Sequence, residues 1–395
     1  MFSKRAEWHA PLNRLTIERR KRGDVLDLTE TNPTRAGIDY PLDELSDILG
    51  RAARASYDPD PRGLRSAREA LAESGHPARL PGAGETPALL DPDDFILTAS
   101  TSEAYSFLFK LLTDPGDNVL TPSPSYPLFE HLASMELIEL RPFALEFHRR
   151  WEIHELPANE RTRAIVIVNP NNPTGSFVTN TEWSRIAARG LPIISDEVFI
   201  DYPLEDRGVV RASGAPWETE GAPEAGTTPA ANDVLTFTLG GLSKSAGLPH
   251  FKLAWIRVSG PGKREALEAL ELIADNFLSV ATPVQVALPE LLRIAPQIRE
   301  AIRARTRANL ATLRAANMPA AQVLPVEGGW SAVIRVPRVM PDEEFALKLL
   351  DRGVLVQPGY FFDFPEGHLV VSLLPREDVF REGVTRLADM MPRSS

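Results

Sequence analysis

Short apolar runs that alternate with helical patterns are the feature that most restricts the fold of this chain. The runs that favour β-strands cover residues 95–98, 118–121, 164–168, 192–195, 234–239 and 253–258. Apolar residues at helical spacing separate several of these runs. This alternation is typical of α/β domains built on a largely parallel sheet. We therefore predict an α/β fold whose central sheet is flanked by helices.

The two ends of the chain follow different patterns from this central region. Residues 1–40 form a turn-rich arm, and a long helical pattern near 283–314 precedes strand signals at 331–336 and 368–373. We predict that the arm, 1–40, joins a smaller α+β domain, 286–395, beside a large domain, 41–285. Two segments rich in Gly and Pro, 76–93 and 205–233, favour exposed loops.

The charge balance argues against several classes of partner. The 395 residues carry 54 acidic and 43 basic side chains, a net charge of −11, which disfavours a nucleic-acid partner. No stretch of about 18 residues is free of charge, so we expect no membrane partner. The chain contains no cysteine, which excludes thiolate chemistry and suits the cytoplasm. Its histidines are scattered without an HExxH spacing, so the sequence predicts no metal site.

Polar clusters follow four of the apolar runs. They are Ser100–Glu103, Asn169–Gly175, Ser195–Glu197 and Gly240–Ser245. Ligands of parallel sheets bind outside the carboxyl ends of the strands, where such loops meet. Loops that bring hydroxyl, amide, carboxylate and amine groups to one edge indicate a cofactor with a phosphate and a polar ring.

The motifs NPNNPTG, SDEVF and GLSKSAGLPHFKLAW, in this order, resemble those of the class I and II aminotransferases. The segments TASTSEAY, PSPSYPLFE and Tyr57–Gly63 extend the resemblance over nearly the whole chain. It implies the fold type I of pyridoxal 5′-phosphate enzymes, with a mostly parallel seven-stranded sheet in the large domain.

The resemblance also assigns the residues around the cofactor ring. Lys244 resembles the lysine that binds the cofactor as a Schiff base and then serves as acid and base. Asp196 resembles the carboxylate that faces the pyridine nitrogen, and Val198 the residue beneath the ring. Asn172 is similar to the asparagine that binds the phenolic oxygen, and Tyr126 to the aromatic residue that stacks on the ring.

A second group of residues is expected at the cofactor phosphate. Thr101 and Ser102 would lie at a helix N-terminus, where backbone N–H groups attract an anion. Ser243 and Lys252 complete the set, with Lys252 where the family usually has arginine. Tyr57 resembles a tyrosine that reaches the phosphate of the neighbouring subunit, which implies a homodimer with shared active sites.

Three positions depart from the family pattern. Phe199 replaces a tyrosine that donates to the phenolic oxygen, and Gly241 replaces a phosphate-binding serine. Val370 occupies the position of the arginine that binds the substrate α-carboxylate. Arg35, with Asn32 in the same turn of the arm, is our candidate for the substrate-binding role.

The resemblance favours transfer of an amino group between an amino acid and a 2-oxo acid. The same lysine, aspartate and asparagine would serve a lyase or a decarboxylase equally well, because the cofactor supplies the electronic effect. A third alternative is an effector domain that binds the cofactor without catalysis.

Overall fold

The computed structural model describes residues 12–74, 90–204 and 234–391, together with Ser3 and Arg5. The predicted loop at 205–233 and most of the one at 76–93 therefore lie outside the described residues. No helix within the described ranges is both long enough and apolar enough to cross a membrane.

The described helices and strands follow the predicted alternation. The strands are β1 (Leu26–Asp27), β2 (Phe95–Thr98), β3 (Asn118–Ser123), β4 (Glu139–Phe147), β5 (Trp151–Ile153), β6 (Thr162–Val168), β7 (Ile193–Asp196), β8 (Thr236–Gly241), β9 (Ala254–Ser259), β10 (Gln322–Val323), β11 (Ser331–Arg335), β12 (Val354–Leu355), β13 (Gln357–Pro358) and β14 (His368–Ser372). The α-helices are α1 (Arg14–Arg20), α2 (Leu42–Ala52), α3 (Arg65–Ser74), α4 (Thr101–Leu112), α5 (Phe129–Glu136), α6 (Asn180–Ala187), α7 (Leu242–Ser245), α8 (Lys263–Asp275), α9 (Thr282–Ala315), α10 (Asp342–Asp351) and α11 (Glu377–Ala388). Short 3₁₀ turns cover Pro92–Asp94, Pro249–Phe251 and Gly359–Phe362.

The large sheet confirms the predicted α/β class. Its order is β2-β9-β8-β7-β6-β3-β4-β5. The pairs between β8, β7, β6, β3 and β4 are parallel, whereas β2–β9, β8–β9 and β4–β5 are antiparallel. The described sheet thus has eight strands rather than the expected seven. The short β5 folds back on β4 as a hairpin at the edge. Neither strand is among the predicted apolar runs, and the three residues of β5 are too few to form one.

A smaller antiparallel sheet in the order β10-β11-β14-β13 forms the C-terminal part. The N-terminal arm meets this part through β1, because Leu26 pairs in parallel with Val354 of β12. Leu28, Phe345 and Phe380 are buried together in its core.

The long helix α9 packs between helices α2 and α3 on one side and the large sheet on the other. Leu288, Leu291 and Ile298 of this helix lie in one apolar cluster with Ile48 of α2 and Leu71 of α3. The cluster also contains Leu242 and Leu248, which flank the loop of Lys244. Helix α9 runs across our proposed domain boundary at residue 285 and supports the loop that follows β8.

Replacement of Leu291 by alanine tests the contribution of this cluster. The side chain is fully buried, so its loss leaves a cavity and lowers the free energy of unfolding by about 2–5 kcal/mol. Urea unfolding followed by far-UV circular dichroism measures this change. Leu272→Ala, on the exposed face of α8 with 71% of its surface accessible, is the matched control. Equal unfolding midpoints for the two variants would contradict the assigned role of the cluster.

Candidate active site

The strand register brings the predicted polar loops together at one edge of the large sheet. Val168, the last residue of β6, pairs with Asp196, and Asp196 pairs with Leu239 of β8. Lys244 follows three residues after the end of β8, in the single turn of α7. The loops that carry the asparagines, the aspartate and the lysine therefore leave neighbouring strands side by side, as parallel pairing requires.

The amine of Lys244 lies in a buried, largely aromatic environment. Its Nζ is 5.9 Å from the ring centre of Phe199 and 5.5 Å from that of Trp330. Burial lowers the pKa of Lys244, and the nearby Asp196 carboxylate opposes this effect only in part. A lysine with a lowered pKa has a larger neutral fraction near neutral pH, and only the neutral amine is a nucleophile or a base.

Asp196 is buried beside this lysine and held by two hydrogen bonds. The backbone N–H of Val198 donates to Oδ1 at 3.2 Å, and the Tyr105 hydroxyl donates to Oδ2 at 3.0 Å. Burial raises the pKa of Asp196 to about 6, although both hydrogen bonds and the charge of Lys244 favour the anion. Among the described residues, no cation lies within hydrogen-bonding distance of this carboxylate, and a cationic N–H group placed against it would stabilise its charge.

Tyr105 is a site residue that the sequence analysis did not single out. It lies on α4, is buried, and packs edge-on against Phe129 with ring centres 5.1 Å apart. Burial raises the pKa of its hydroxyl well above the usual value, so the group remains a donor to Asp196. Its place in the TASTSEAY segment, one helical turn after Thr101, was the available signal.

The loop after β6 holds its three asparagines in different ways. Asn169 accepts from the backbone of Val178, and Asn171 donates to the carbonyl of Pro124 and to Thr174. The partly buried Asn172 accepts a long hydrogen bond, 3.4 Å, from Ser331 Oγ of β11. Asn169 and Asn171 thus brace the loop, whereas the side-chain N–H₂ of Asn172 donates no hydrogen bond that is seen within the described ranges.

Gly175 fixes this loop against the C-terminal part of the chain. Its φ of +70° is unfavourable for other residues, and a Cβ there would lie 2.2 Å from Val326 and 2.5 Å from the carbonyl oxygen of Gly328. Its own carbonyl accepts from the backbone N–H of Gly328 at 2.9 Å. The close contact sets Asn172 beside the segment that leads into Trp330.

Trp330 was also missed by the sequence analysis. It is buried and makes edge contacts with Phe199 and Tyr202, at ring-centre distances of 5.3 and 5.0 Å. The Tyr202 hydroxyl donates to the carbonyl of Lys244 at 2.5 Å. These rings form an apolar wall that limits the positions of the lysine side chain.

The expected phosphate-binding residues converge through the register of three strands. Ala254 of β9 pairs with Thr98 on one side and with Gly241 on the other. Thr101 and Ser102 therefore begin α4 next to the turn of Ser243. Ser100 caps α4 by accepting from the N–H of Glu103 at 3.2 Å. The first N–H groups of this twelve-residue helix form a favourable anion site.

Lys252 lies at the same corner, in the left-handed conformation with φ of 51°, two residues before Ala254. Its side chain is exposed.

Tyr126 follows β3, which lies on the other side of β7 and its Asp196 from β8 and Lys244 in the sheet order. Its ring is 46% exposed, and partial burial together with the charge of Asp196 raises the pKa of its hydroxyl. Nearly half of the tyrosine surface is thus accessible, near enough to Asp196 for the carboxylate charge to act on its hydroxyl.

Tyr57 and Arg35 also lie on the surface of the single chain, whereas Asn32 is partly buried. Tyr57 is 72% exposed and Arg35 is exposed on the arm. Asn32 uses its side-chain oxygen to accept from the N–H and hydroxyl of Thr34. Its amide oxygen therefore stabilises the turn that carries Arg35.

Val370 is fully enclosed in the small sheet. It is 1% exposed, pairs with Val333 and Gln357, and packs in an apolar cluster with Phe364 and Trp151. This cluster joins the small sheet to the edge of the large one. No cation stands at this position to bind a carboxylate.

A second buried acid adjoins the site. Glu197 accepts from the Ser195 hydroxyl at 2.9 Å, and burial raises its pKa to about 7, although the charge of Arg257 favours the anion. The Arg257 Nε has no hydrogen-bond partner in the described part of the chain. Ionisation of Glu197 in the folded protein thus lowers the free energy of unfolding.

The arrangement as a whole supplies an amine with a lowered pKa, a buried carboxylate and the N-terminus of α4 at one edge of the large sheet. Comparison with known proteins agrees with this chemistry. The family model described as aminotransferase class I and II matches residues 25–387. Among curated relatives, nicotianamine aminotransferase 1 of Oryza sativa is 33% identical over 263 residues, 64% of this chain and 49% of that protein. The chain thus spans about half the length of this plant relative.

Other relatives match over nearly their full length. Glutamate-pyruvate aminotransferase AlaA of Haemophilus influenzae is 26% identical over 400 residues, 96% of this chain and 93% of that protein. The fold resembles the solved structure of alanine aminotransferase from Pyrococcus furiosus, with a TM-score of 0.81, 23% identity and 99% coverage of both chains. An aminotransferase from Escherichia coli gives a TM-score of 0.80 at 24% identity, covering 98% of this chain and 97% of that one. These structures show the fold.

Glu197→Gln tests the cost of the buried carboxyl. Folding raises the pKa of Glu197 from 4.5 to about 7, so the penalty is absent below pH 4.5 and complete above about pH 7. The amide keeps an oxygen for Ser195 but cannot ionise. The variant should therefore gain about 1–3 kcal/mol relative to the parent protein between pH 4.5 and 8. Urea unfolding of the cofactor-free protein at both pH values measures the difference, and a relative loss of stability with rising pH would refute it.

Proposed function

The chain belongs to the class I and II aminotransferases, and from this we propose that it transfers an amino group between an amino acid and a 2-oxo acid. The observation that carries the proposal is the buried pair of Lys244 and Asp196 at the carboxyl ends of adjacent strands. Family membership makes pyridoxal 5′-phosphate the cofactor.

The donor set of the site fits this cofactor. Asp196 needs a cationic N–H partner, which a protonated pyridine nitrogen provides, and the start of α4 offers N–H groups and two hydroxyls for a phosphate. When bound, the cofactor withdraws electrons from the Cα atom of an attached amino acid, so that this carbon can lose a proton. Tyr126 is proposed to stack on the ring, with Val198 on the other face and Asn172 at the phenolic oxygen.

Lys244 supplies the covalent attachment and the proton transfer. Its lowered pKa enlarges the fraction of neutral amine, and the neutral amine can take a proton from the substrate Cα and return it to a neighbouring carbon. The aromatic wall of Phe199 and Trp330 excludes water around Nζ and confines its motion. Such confinement supports transfer between two nearby atoms over loss of the proton to solvent.

Asp196 holds a negative charge where the ring nitrogen would lie. Its pKa of about 6 leaves it mostly ionised at neutral pH, and the hydroxyl of Tyr105 fixes its orientation. A bound cation would lower this pKa further, so the loaded site keeps the carboxylate charged over a wider pH range.

Arg35 is our proposed partner for the substrate carboxylate. Val370 occupies the position where the family usually has a carboxylate-binding arginine, so that cation is missing from the small sheet. The arm that carries Arg35 passes the site. The hydroxyl of Ser372, at the end of β14, donates to the Glu30 carbonyl at 2.6 Å, and the hydroxyl of Tyr40 donates to the carbonyl of Gly247, near Lys244, at 2.6 Å. Arg35 lies between these two anchored points of the arm.

A homodimer and a cytoplasmic location are further parts of the proposal. The large exposed fraction of Tyr57 supports a second subunit whose phosphate this side chain reaches. The net charge of −11 and the lack of cysteine suit the cytoplasm.

Lyase chemistry is the second candidate, favoured by Phe199 and Val370, two departures from the family pattern in the site. A relative from Arabidopsis thaliana, 32% identical over 64% of this chain and 52% of that protein, is named S-alkyl-thiohydroximate lyase. The products distinguish the candidates, because a lyase releases fragments continuously without an acceptor.

Single-turnover analysis tests the proposed transfer. With one amino acid and no acceptor, the holoenzyme should release about one 2-oxo acid per site and stop, and then continue when a second oxo acid is added. Glutamate and alanine begin the panel, since AlaA relatives are named for glutamate and pyruvate. Lys244→Ala should lose at least about 10³-fold in rate, because the acid–base group and the nucleophile are the same atom.

Lys348→Ala, an exposed lysine on α10, is the matched control and should retain the parent rate. Continuous release of ammonia or of a cleaved side chain without acceptor would replace the transferase proposal by the lyase one. Full activity in Lys244→Ala would refute both.

Arg35→Ala tests the carboxylate contact. Loss of a charge-assisted contact should raise KM for an amino acid about 10–100-fold, corresponding to about 1.5–3 kcal/mol, while the cofactor absorption spectrum stays unchanged. Arg189→Ala is the control, since this exposed arginine precedes β7 and therefore lies at the opposite end of the sheet from Asp196. An unchanged KM in Arg35→Ala would eliminate Arg35 as the clamp.

A further inference from the structure

The edge hairpin repeats the sequence Glu-x-His on both of its strands. Glu146 and His148 occur at the end of β4, and Glu152 and His154 occur in and just after β5. Side chains two residues apart share one face of a strand. Glu146 pairs directly with Glu152, so the hairpin brings all four polar side chains to the same face.

The side chains of this face lie close together. One ligand atom from each of Glu146, His148 and His154 lies within 4.8 Å of the other two. Each histidine Nε2 is 3.5 Å from the carboxylate that precedes it in its own Glu-x-His segment. The two imidazole rings meet edge to face, with centres 5.5 Å apart.

From this arrangement we propose that the hairpin binds a divalent transition-metal ion of the zinc type through Glu146, His148 and His154, with Glu152 as a further carboxylate ligand. Imidazole nitrogens and carboxylate oxygens suit Zn²⁺ and its neighbours, whereas Mg²⁺ and Ca²⁺ prefer oxygen alone. We name this set the hairpin cluster. The scattered positions of the histidines in the sequence gave no such prediction, because the ligand spacing arises only from the pairing of two strands.

The opposite face of the hairpin provides a fixed support. Phe147 and Trp151 pair across the strands with ring centres 5.1 Å apart. Trp151 and Ile153 are buried in the cluster that joins the two sheets. Only the exposed side chains must therefore adjust to bring their ligand atoms to the roughly 3.3 Å spacing of a tetrahedral ion with bonds of about 2.0–2.1 Å.

Arg150, in the turn between β4 and β5, makes its contacts outside the hairpin cluster. The Arg150 guanidinium donates to the carbonyl of Phe177 at 2.9 Å and lies 3.4 Å from Glu182 and 3.9 Å from Glu327. It therefore neutralises these two acids, and its contacts lie outside the hairpin cluster, whose carboxylates have the histidine Nε2 atoms as neighbours at 3.5 Å.

The hairpin cluster is separate from the catalytic site. In the sheet order, β5 is five strands from β8, which precedes Lys244, and at about 4.8 Å per strand this is roughly 24 Å. An ion bound here would tie the edge strand β5 to β4 and slow the opening of the hairpin, and turnover would not depend on it. Binding to the folded state alone stabilises that state.

Zinc titration of the tag-free holoenzyme by isothermal calorimetry tests the proposal. We expect one Zn²⁺ per chain, affinity at least tenfold weaker in His148→Ala and in His154→Ala, and unchanged affinity in His131→Ala. His131 is exposed on α5 and controls for the loss of any surface imidazole. Glu146→Gln, which keeps the shape of the side chain, should also weaken binding.

Hydrogen exchange of the hairpin amides gives an independent readout. Zn²⁺ should slow the exchange of residues 145–153 in the parent protein but not in the His148→Ala/His154→Ala double variant, whose turnover should match that of the parent. Equal Zn²⁺ affinity in the double variant, or no binding by the parent protein, would overturn the proposal, and either result leaves the proposed transferase activity untouched.

Discussion

The electrostatic interaction between the partly buried amine of Lys244 and the buried carboxylate of Asp196 is the one on which the site depends. Burial disfavours both charged forms, which lowers the pKa of Lys244 and raises that of Asp196 to about 6. Neither residue could remain there without compensation, because an unpaired buried charge is costly. The sheet provides it by placing β7 beside β8, so that each charge stabilises the other. A ligand that supplies a cation to Asp196 and bonds to the amine removes the remaining cost.

Much of the surrounding structure holds this pair in register. Tyr105 and the Val198 N–H fix the two oxygens of Asp196, and the Tyr202 hydroxyl holds the backbone of Lys244. Helix α9 packs behind the lysine loop through the cluster of Leu242 and Leu291. Rigid support of this kind is what a reactive group requires, since small displacements reduce the rate of proton transfer.

The parts that the sequence predicts are those that depend on local order along the chain. The α/β class, the bounds of β2, the start of α4 and the family motifs could be predicted because apolar runs and turn residues specify them directly. Trp330 could not be assigned in advance, since its role arises from contacts between segments far apart in sequence, and Tyr105 had only its place in the TASTSEAY segment as a signal. The strand β5 was missed for a related reason. Its three residues are too few to form a recognisable strand pattern, and the strand is defined by its pairing with β4. The roles of the individual site residues toward cofactor and substrate stay predictions.

The replacement of arginine by Val370 alters how a substrate carboxylate can be recognised. An arginine enclosed among Val333, Phe364 and Trp151 would have to be paired to offset its desolvation, and valine instead lets the small sheet pack directly on the large one. We propose that recognition then comes from groups nearer the solvent, with Arg35 on the arm as our candidate. Exposed charges are screened by salt and bind more weakly than buried ones. Carboxylate binding in this protein should accordingly depend on ionic strength, and the aromatic wall around Lys244 becomes a larger part of what selects the substrate.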